Sequence, residues 1–464
     1  MKSFSFILCL FSAVAMADFK EFYFQRFQKK QEAVKWAGDS DPISNTANAR
    51  NFTQRLNPLD SSDPRTFTQR YYINTQYAEN KLSPTIFFLC GEATCEGLPK
   101  SLNYFGKILK ANLIALEHRY YGKSQPFENL STENLKYLST DYALKDAASF
   151  QKYAMDTLGF QGKWIVVGGS YAGSLAAYYR EKYPELVVGA LSSSGPVRAE
   201  ANFEDYDRHV ATVAGPECLA DIKTVVAQLE SALSNPEQLA ALKVKFSAEK
   251  LIDALDFVYL VADMGALAIQ YGYRDHFCSL LHTKNPMEGY AKFTREIYNT
   301  WGIDALSGSA AGATSLNPAD YEKGAGIRQW FYQSCTEYGY WQNAYHEEKL
   351  SARSQMINSE YHASICRRLF GIETAAQTEA LNRKFYFPLF ESSTSNIFFS
   401  NGSRDPWMNL SIAKENGNDL NPKNVVITID GAAHCDDLRM NPSDSSSIKE
   451  ARSKFLDLAR DWIK

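Results

Sequence analysis

Trp164-Ile165-Val166-Val167-Gly168-Gly169-Ser170-Tyr171-Ala172-Gly173-Ser174 is the run that determines what this chain can be. A β-branched apolar segment stops at two glycines, presents a serine, and passes into small residues suited to a helix, 172–177. That order is the strand–turn–helix of a nucleophile elbow, whose turn is too sharp for side chains to clear the neighbouring strands. The usual pattern places glycine two residues after the nucleophile; Ala172 stands there, with Gly173 next. A Gly-Gly turn with an incidental serine is the plain alternative, and partners elsewhere in the chain decide between the two.

On either side of the elbow, from about Phe67 to Ser194, strand-like runs alternate with helical patterns. Residues 66–72, 85–90, 113–116, 164–167 and 187–191 read as strands, and 141–158 and 171–183 as helices. Continuous apolar strands separated by helices predict a parallel sheet covered on both faces. From about Phe203 to Phe390 the strand signal gives way to amphipathic helices, such as 219–232 and 248–273. A Gly/Ala/Ser loop at 307–315 interrupts them and is expected to be mobile. Strands resume at 396–400 and 425–429, and an amphipathic helix at 448–463 closes the chain. The expected class is therefore α/β, with a helical insertion lying over the carboxyl ends of the strands, where open sheets of this kind bind ligands. The expected divisions are 1–17, a signal peptide; 18–202, the first part of the core; 203–390, the inserted lid; and 391–464, the second part of the core.

An elbow serine needs a base to take its proton and a carboxylate to orient that base. In such sheets the chain order is serine, acid, histidine. Of seven histidines, His118 precedes the serine, and His209, His276, His282, His346 and His362 fall in the insertion. His434 alone follows a late strand, at the end of Val425-Val426-Ile427-Thr428-Ile429-Asp430-Gly431-Ala432-Ala433-His434. The acid should close the strand before it, which makes Asp405 the candidate; its plain alternative is a turn residue ahead of Pro406. Asp430 and Asp436 compete, but each lies too near His434 in sequence to approach the ring from behind without strain. In the mechanism this order predicts, His434 takes the Ser170 proton during attack on a carbonyl, and Asp405 holds the ring's tautomer. Backbone donors for the resulting oxyanion are expected at Tyr171 and in Cys90-Gly91-Glu92-Ala93, at Gly91 and Glu92; the alternative for that loop is an ordinary strand-end turn.

Composition sets the compartment and narrows the partners. Lys2, an apolar run at 4–14 broken by Ser5 and Ser12, and Ala15-Met16-Ala17 predict a secretory leader, too short to span a bilayer. Residues 255–269 carry Asp256 and Asp263 and read as a buried helix, and the carboxyl end at 456–461 is too charged for a lipid-anchor tail. A secreted or lysosomal location follows as an expectation. A net charge of −4 over 464 residues argues against nucleic acid or an anionic membrane as partner, and 13% aromatic residues argue for packed cores and a lined pocket. Cys9 leaves with the leader, so seven of the eight cysteines remain. By proximity in the expected layout they pair as Cys218–Cys278, Cys335–Cys366 and Cys90–Cys95, leaving Cys435 free. Without paired CxxC knuckles there is no zinc site to expect, and the chemistry requires no metal or cofactor. Four Asn-x-Ser/Thr sequons occur: Asn51, Asn129 and Asn409 are expected glycan acceptors, and Asn401, beside Asp405, is expected to be shielded.

Several stretches together resemble the serine carboxypeptidase family of prolyl carboxypeptidase, dipeptidyl peptidase II and thymus-specific serine protease. They are Glu117-His118-Arg119-Tyr120-Tyr121-Gly122-Lys123-Ser124, the elbow itself, Ser194-Gly195-Pro196-Val197, Asn401-Gly402-Ser403-Arg404-Asp405-Pro406-Trp407 and His434-Cys435-Asp436-Asp437-Leu438-Arg439. The resemblance implies an α/β-hydrolase core, exopeptidase action on peptide substrates in acidic vesicles or outside the cell, and leaves a homodimer open. It implies a proline-pocket role for Trp407, with core packing as the alternative. It also implies either a hydrogen bond from Arg439 that modulates His434 or a surface ion pair with an acid such as Asp437. Ser170-Tyr171-Ala172-Gly173 with His434-Cys435 looks closer to the thymus-specific branch, which leaves a requirement for proline open. Two other readings compete with the exopeptidase: an esterase or lipase using the same triad, and a catalytically silent hydrolase fold acting as a binding module.

Overall fold

Four short apolar strands, buried along nearly their whole length, form the middle of the structure. The computed structural model describes residues 49–322 and 325–464, so the expected leader and Cys9 lie outside the described residues. Strands β1 (Arg50–Arg55), β2 (Thr66–Asn74), β3 (Thr85–Leu89), β4 (Asn112–Leu116), β5 (Trp164–Gly169) and β6 (Gly189–Ser193) precede a long excursion. Within it β7 (Glu200–Asn202) and β8 (Gly339–Trp341) pair as a small separate sheet; then β9 (Ile397–Gly402) and β10 (Val425–Ile429) rejoin the main one. The eight-stranded order is β1-β2-β4-β3-β5-β6-β9-β10, the arrangement of an α/β-hydrolase core.

The sheet is mixed rather than wholly parallel as expected. From β4 through β10 neighbours run parallel, but β2 is antiparallel to both β1 and β4. The short connection from β1 to β2 leaves no room for the crossover a parallel pair needs. β2 accordingly alternates exposed and buried residues at its start, the mark of a strand wetted on one face. β1, Arg-Asn-Phe-Thr-Gln-Arg, is an edge strand too polar to announce itself. The small β7–β8 sheet, inside the region read as purely helical, is likewise too short to leave a signal.

Side chains alternate across β5. Val166 packs with Phe87, Phe150, Leu175 and Tyr179, against helices α2 (Thr140–Asp156) and α3 (Tyr171–Lys182), which α1 (Lys100–Leu109) precedes in the chain. Ile165 and Val167 face the opposite way, into Leu102, Phe105 and Phe455, which come from α1 and from the closing helix (Ser446–Trp462). Between β6 and β9 come α4 (Asp205–Ala214), α5 (Pro216–Ala232), α6 (Pro236–Lys245), α7 (Ala254–Gln270), α8 (Arg274–Leu281), α9 (Pro286–Trp301), α10 (Ile327–Gln333) and α11 (Ser359–Phe370), and the closing helix becomes α12. α5, α6 and α9 each begin on proline, whose missing N–H would be unsatisfied there in any case. The Asp253 side chain caps α7 by accepting from the Leu255 and Asp256 N–H groups. Although α7 is largely apolar and buried, no helix among the described residues is long and apolar enough to cross a membrane.

Residues 307–315 are packed rather than loose. They form a turn over Ala311–Ala313 in which Ala310 and Ala313 are buried and the Ala313 carbonyl accepts from Arg328 Nη1 at 2.9 Å. Disulfides join Cys90 to Cys95, Cys218 on α5 to Cys278 on α8, and Cys335 to Cys366 on α11, and Cys435 is a free thiol. The two bridges within the insertion span 60 and 31 residues of sequence, each worth about 3–4 kcal/mol by the chain-entropy estimate.

Glu337 links the insertion to the core by accepting from the Thr140 N–H at 3.0 Å and Thr140 Oγ1 at 3.1 Å, at the start of α2. Burial pushes its carboxyl up to about 7 from an ordinary 4.5, against the pull of the Thr140 hydrogen bonds. Burial raises the carboxyls of Asp207 and Asp437 as well. A raised carboxyl keeps a proton in the folded state that the unfolded chain has already released. Its contribution is therefore complete below the unfolded value and is lost as pH rises through the folded one. The melting temperature of the parent protein should fall relative to that of Glu337→Gln between about pH 5 and pH 8, as read by calorimetry of both. A difference between the two that does not change over this interval would contradict the assignment.

Candidate active site

β5 ends at Gly169 and α3 begins at Tyr171, which leaves one residue for the whole turn. Ser170 takes φ 57° and ψ −132°, a conformation a non-glycine residue holds only when its surroundings over-determine it. Its N–H donates to the Ser193 carbonyl at 2.9 Å, and its own carbonyl accepts from the Gly173 N–H at 2.8 Å. A Cβ on Gly168 would sit 2.0 Å from the Ala172 carbonyl oxygen, and one on Gly173 would sit 2.8 Å from that of Ser193. The turn therefore demands glycine on both sides, while the position two after the serine accepts the methyl of Ala172.

Asp405 follows β9 and His434 follows β10, so adjacent parallel strands deliver them to the same edge of the sheet. His434 Nδ1 lies 2.7 Å from Asp405 Oδ2, and both side chains are buried. The other Asp405 oxygen accepts the Trp407 N–H at 3.1 Å, so the carboxylate closes the turn at Pro406 and also meets the ring. Burial alone would lower the His434 imidazolium. The Asp405 carboxylate and the neighbouring Cys435 outweigh it and hold it well above the usual histidine range. The histidine loop lies against the elbow: the Cys435 N–H donates to Ser194 Oγ at 3.0 Å, and Cys435 Sγ would be 3.2 Å from a Cβ on Gly169. The residue after His434 thus touches the residue before Ser170. Asp430 is exposed, and Asp436 accepts from the Ala433 N–H at 2.8 Å and pairs with Arg439, so neither competes for the ring.

Tyr171, first in α3, has a backbone N–H with no acceptor inside the helix, at the positive end of the helix dipole. The Gly91 loop abuts it: a Cβ on Gly91 would lie 3.5 Å from the Ala172 Cβ and 3.6 Å from its nitrogen. Burial raises the carboxyl of Glu92, the next residue of this loop, while the charge of His434 pulls it back. The loop expected to offer Gly91 and Glu92 as donors therefore lies against the first turn of α3, beside Tyr171.

Behind the elbow lies a network whose role spacing alone did not reveal. His118 Nε2 lies 3.1 Å from the Tyr171 hydroxyl, which also accepts from Gln333 Nε2 at 2.8 Å; Gln333 Oε1 accepts in turn from the Tyr121 hydroxyl at 2.6 Å. Burial holds the His118 imidazolium down at about 4. Arg119 makes a fully buried two-point contact with Asp146, at 2.7 and 2.6 Å. Glu117 accepts from the Cys95 N–H at 3.0 Å and thereby anchors the loop that carries Gly91. The Glu-His-Arg-Tyr-Tyr-Gly signature is therefore the buttress of the site rather than part of its chemistry.

Three further expected residues have these surroundings. Trp407 is buried among Phe203, Tyr206 and Tyr340, at centroid distances of 5.4, 5.5 and 5.3 Å, and its Nε1 donates to Gln270 Oε1 at 3.0 Å. Its partners Tyr206 and Gln270 both line the cavity beside the elbow, so the indole backs that wall. Arg439 meets neither His434 nor Asp437: it pairs with Asp436 at 3.3 Å and stacks over Tyr271 at 5.1 Å, while Asp437 accepts from Ser193 Oγ at 2.5 Å. Asn409 is half-buried, and the amide nitrogen a glycan would occupy donates to the Pro406 carbonyl at 2.8 Å. Asn51 and Asn129 are exposed, whereas Asn401 is fully buried, with its amide donating to the Ile412 carbonyl at 2.9 Å.

A cavity of about 1380 Å³ opens beside the elbow. It lies between the core loop carrying Gly91 and the insertion's α7 and α9, and its lining includes Gln270 and Tyr271, which neighbour His434. The Gln270 carbonyl accepts the His434 N–H at 2.9 Å, and the Tyr271 ring stands edge-on to the imidazole at 6.0 Å. Among the described residues no group of His, Cys, Asp and Glu is arranged to hold a metal ion.

Residues 54–455 match the family described as Serine carboxypeptidase S28. The chain is 34% identical over 429 residues to Probable serine protease EDA2 of Arabidopsis thaliana, covering 89% of this chain and 85% of that one. It is 32% identical over 449 residues to Thymus-specific serine protease of Mus musculus, covering 89% and 86%. It is 26% identical over 445 residues to Lysosomal Pro-X carboxypeptidase of Mus musculus, covering 89% and 88%.

Gly168→Ala should force the elbow open against the Ala172 carbonyl. The expected result is loss of more than about 99% of the labelling rate by a serine-directed fluorophosphonate, with a lowered melting temperature. Unchanged labelling would mean that Ser170 is not presented by this turn.

Proposed function

We propose that this chain, which belongs to the serine carboxypeptidase S28 family, is a serine exopeptidase working through Ser170, Asp405 and His434. The observation that carries the reading is the delivery of a strained, glycine-flanked serine and a buried carboxylate–imidazole pair to one edge of the sheet, where the residue after the histidine bonds to Ser194. Serine peptidase chemistry follows from the family; the triad assignment and the exopeptidase mode are the added steps.

In this mechanism Ser170 Oγ attacks the scissile carbonyl carbon while His434 Nε2 takes its proton. The oxyanion is met by the N–H groups of Tyr171 and Gly91, each such donor being worth about 10²–10³ in rate. His434 then gives the proton to the leaving amine, the peptide bond breaks, and an acyl group remains on Ser170. Water, deprotonated by His434, attacks that ester; the acid is released and Ser170 regains its proton. Asp405 keeps Nδ1 protonated throughout, so that Nε2 is the atom that accepts.

Several features support a lumenal setting and a peptide substrate. Three disulfides suit an oxidising compartment, and buried carboxyls with raised affinity for protons suit an acidic one. The helices at 203–390 act as a lid over the strand ends, and the cleft beneath them is large enough for several residues of an extended chain.

Ser170→Ala should abolish fluorophosphonate labelling with little change in melting temperature. Asp405→Asn should slow labelling by about 10³–10⁴-fold. Because Asp405 is what raises the His434 imidazolium, the same variant should move the ionisation seen in the pH profile of labelling to lower pH. Persistent labelling in Ser170→Ala would discard the assignment.

A further inference from the structure

Helix α7 faces the cleft with a single stripe, Leu260, Asp263, Met264, Leu267, Gln270 and Tyr271, spaced as one side of an α-helix requires. The carboxyl end of the stripe is at the chemistry, since the Gln270 carbonyl accepts the His434 N–H. Asp263 lies two turns back, about 10 Å along the axis. It is the one ionisable side chain on the stripe besides the Tyr271 phenol.

Behind Asp263 is a buried group of three charges. Arg353 Nη2 lies 3.1 Å from Asp263 Oδ1, and Arg353 Nε lies 4.0 Å from Asp207 Oδ1. Asp207 is fully occupied, accepting from the Tyr345 N–H at 2.9 Å, the Ala352 N–H at 3.0 Å and Ser351 Oγ at 2.6 Å. Two carboxylates thus share one guanidinium: burial raises both carboxyls, the charge of Arg353 pulls both back, and with both ionised the group carries a net charge of −1. The side chains of Arg353 and Asp207 are 1% and 0% exposed, against 28% for Asp263, so the surplus negative charge is presented to the cleft through Asp263 alone. The other carboxylates lining the cleft are Glu96, Asp304 and Asp320, and among the described residues no Lys, Arg or His lines it. Such a wall attracts an ammonium group and repels a carboxylate.

We infer that Asp263 captures the free amino terminus of a peptide substrate, so that the enzyme removes short fragments from amino ends rather than single residues from carboxyl ends. The inference rests on the serine-peptidase reading above and adds the end at which it works. Extended peptide advances about 3.3–3.6 Å per residue. An ammonium held two helical turns from the histidine therefore puts the second or third peptide bond at Ser170.

The test compares one peptide series in three forms, with both termini free, with the amino end acetylated and with the carboxyl end amidated. Cleavage is followed near pH 7 by mass spectrometry, and rates are expressed per fluorophosphonate-labelled site. Acetylation should lower kcat/KM by at least about 100-fold, and amidation should change it less than about threefold, with di- or tripeptides as products. Asp263→Asn should raise KM for the free-amine peptide by about ten- to a hundredfold while kcat moves less, and Asp263→Glu should restore part of the loss. If the asparagine variant does not fold, the contrast between acetylated and amidated peptides on the unaltered enzyme still decides. Loss of cleavage on amidation but not acetylation, or cleavage indifferent to both, overturns the inference while leaving a live serine peptidase. A protein that hydrolyses none of the peptides yet takes the label overturns it as well. Absence of labelling overturns the underlying reading, and this inference with it.

Discussion

Ser170 sits in a backbone conformation that costs on the order of 1–3 kcal/mol, and the architecture around it serves to keep it there. A strained residue relaxes unless its neighbours leave it no alternative. Here β6 supplies the Ser193 carbonyl that takes its N–H, α3 supplies the Gly173 N–H that takes its carbonyl, and two missing side chains let these elements come close. The glycines allow the approach, but the parallel pairing of β5 with β6 enforces it. Moving the register of β6 by one residue would point Ser193 the other way and release the turn.

Three remote parts of the chain converge on that turn, and each is fixed by something other than catalysis. The Gly91 loop is closed by a disulfide and pinned by Glu117. Tyr171 is clamped at its hydroxyl by His118 and Gln333. The Asp405 carboxylate spends one oxygen on the turn before Pro406 and has only the other for the imidazole. The Gly91 loop also reaches the insertion: Ala93 bridges Ala325, and the Glu92 carbonyl accepts the Gly326 N–H at 3.1 Å. The wall that shapes the cleft and the loop that abuts the elbow are therefore mechanically one piece.

The core, and the placing of Ser170, Asp405 and His434 at one edge of its sheet, were legible because their signals are local or ordered. β5 is an unbroken apolar run ending in Gly-Gly-Ser, β10 matches its expected span of 425–429, and serine, acid and histidine follow one another in a fixed order along such sheets. β1 was not legible because an edge strand needs little apolar surface, and the antiparallel start of the sheet depends on connection length more than on composition. The wall of the cleft was illegible for a different reason. Asp263 looked like a charge interrupting an apolar helix, and only the folded chain shows that Arg353, ninety residues away, turns it into the exposed corner of a buried charge group. Trp407 and Arg439 show that of two expected environments only the folded chain chooses: the indole packs among aromatic rings, and the guanidinium pairs with Asp436.

The pairing of β6 with β9 joins Ala190–Ser193 to Ile397–Ser400, with the whole insertion between them. A ribosome adding about 5–20 residues per second takes on the order of 10–40 s to cross that interval, and during it the apolar edge of β6 has no neighbour. The insertion closes Cys218–Cys278 and Cys335–Cys366 within itself, so it has what it needs to fold while the edge waits. Asp405 and His434 come with β9 and β10, after the whole insertion. With the triad proposed above, Ser170 would have no base until they dock, and a half-made chain could not digest its neighbours. On that reading the order of the strands itself delays activity until the insertion has been made.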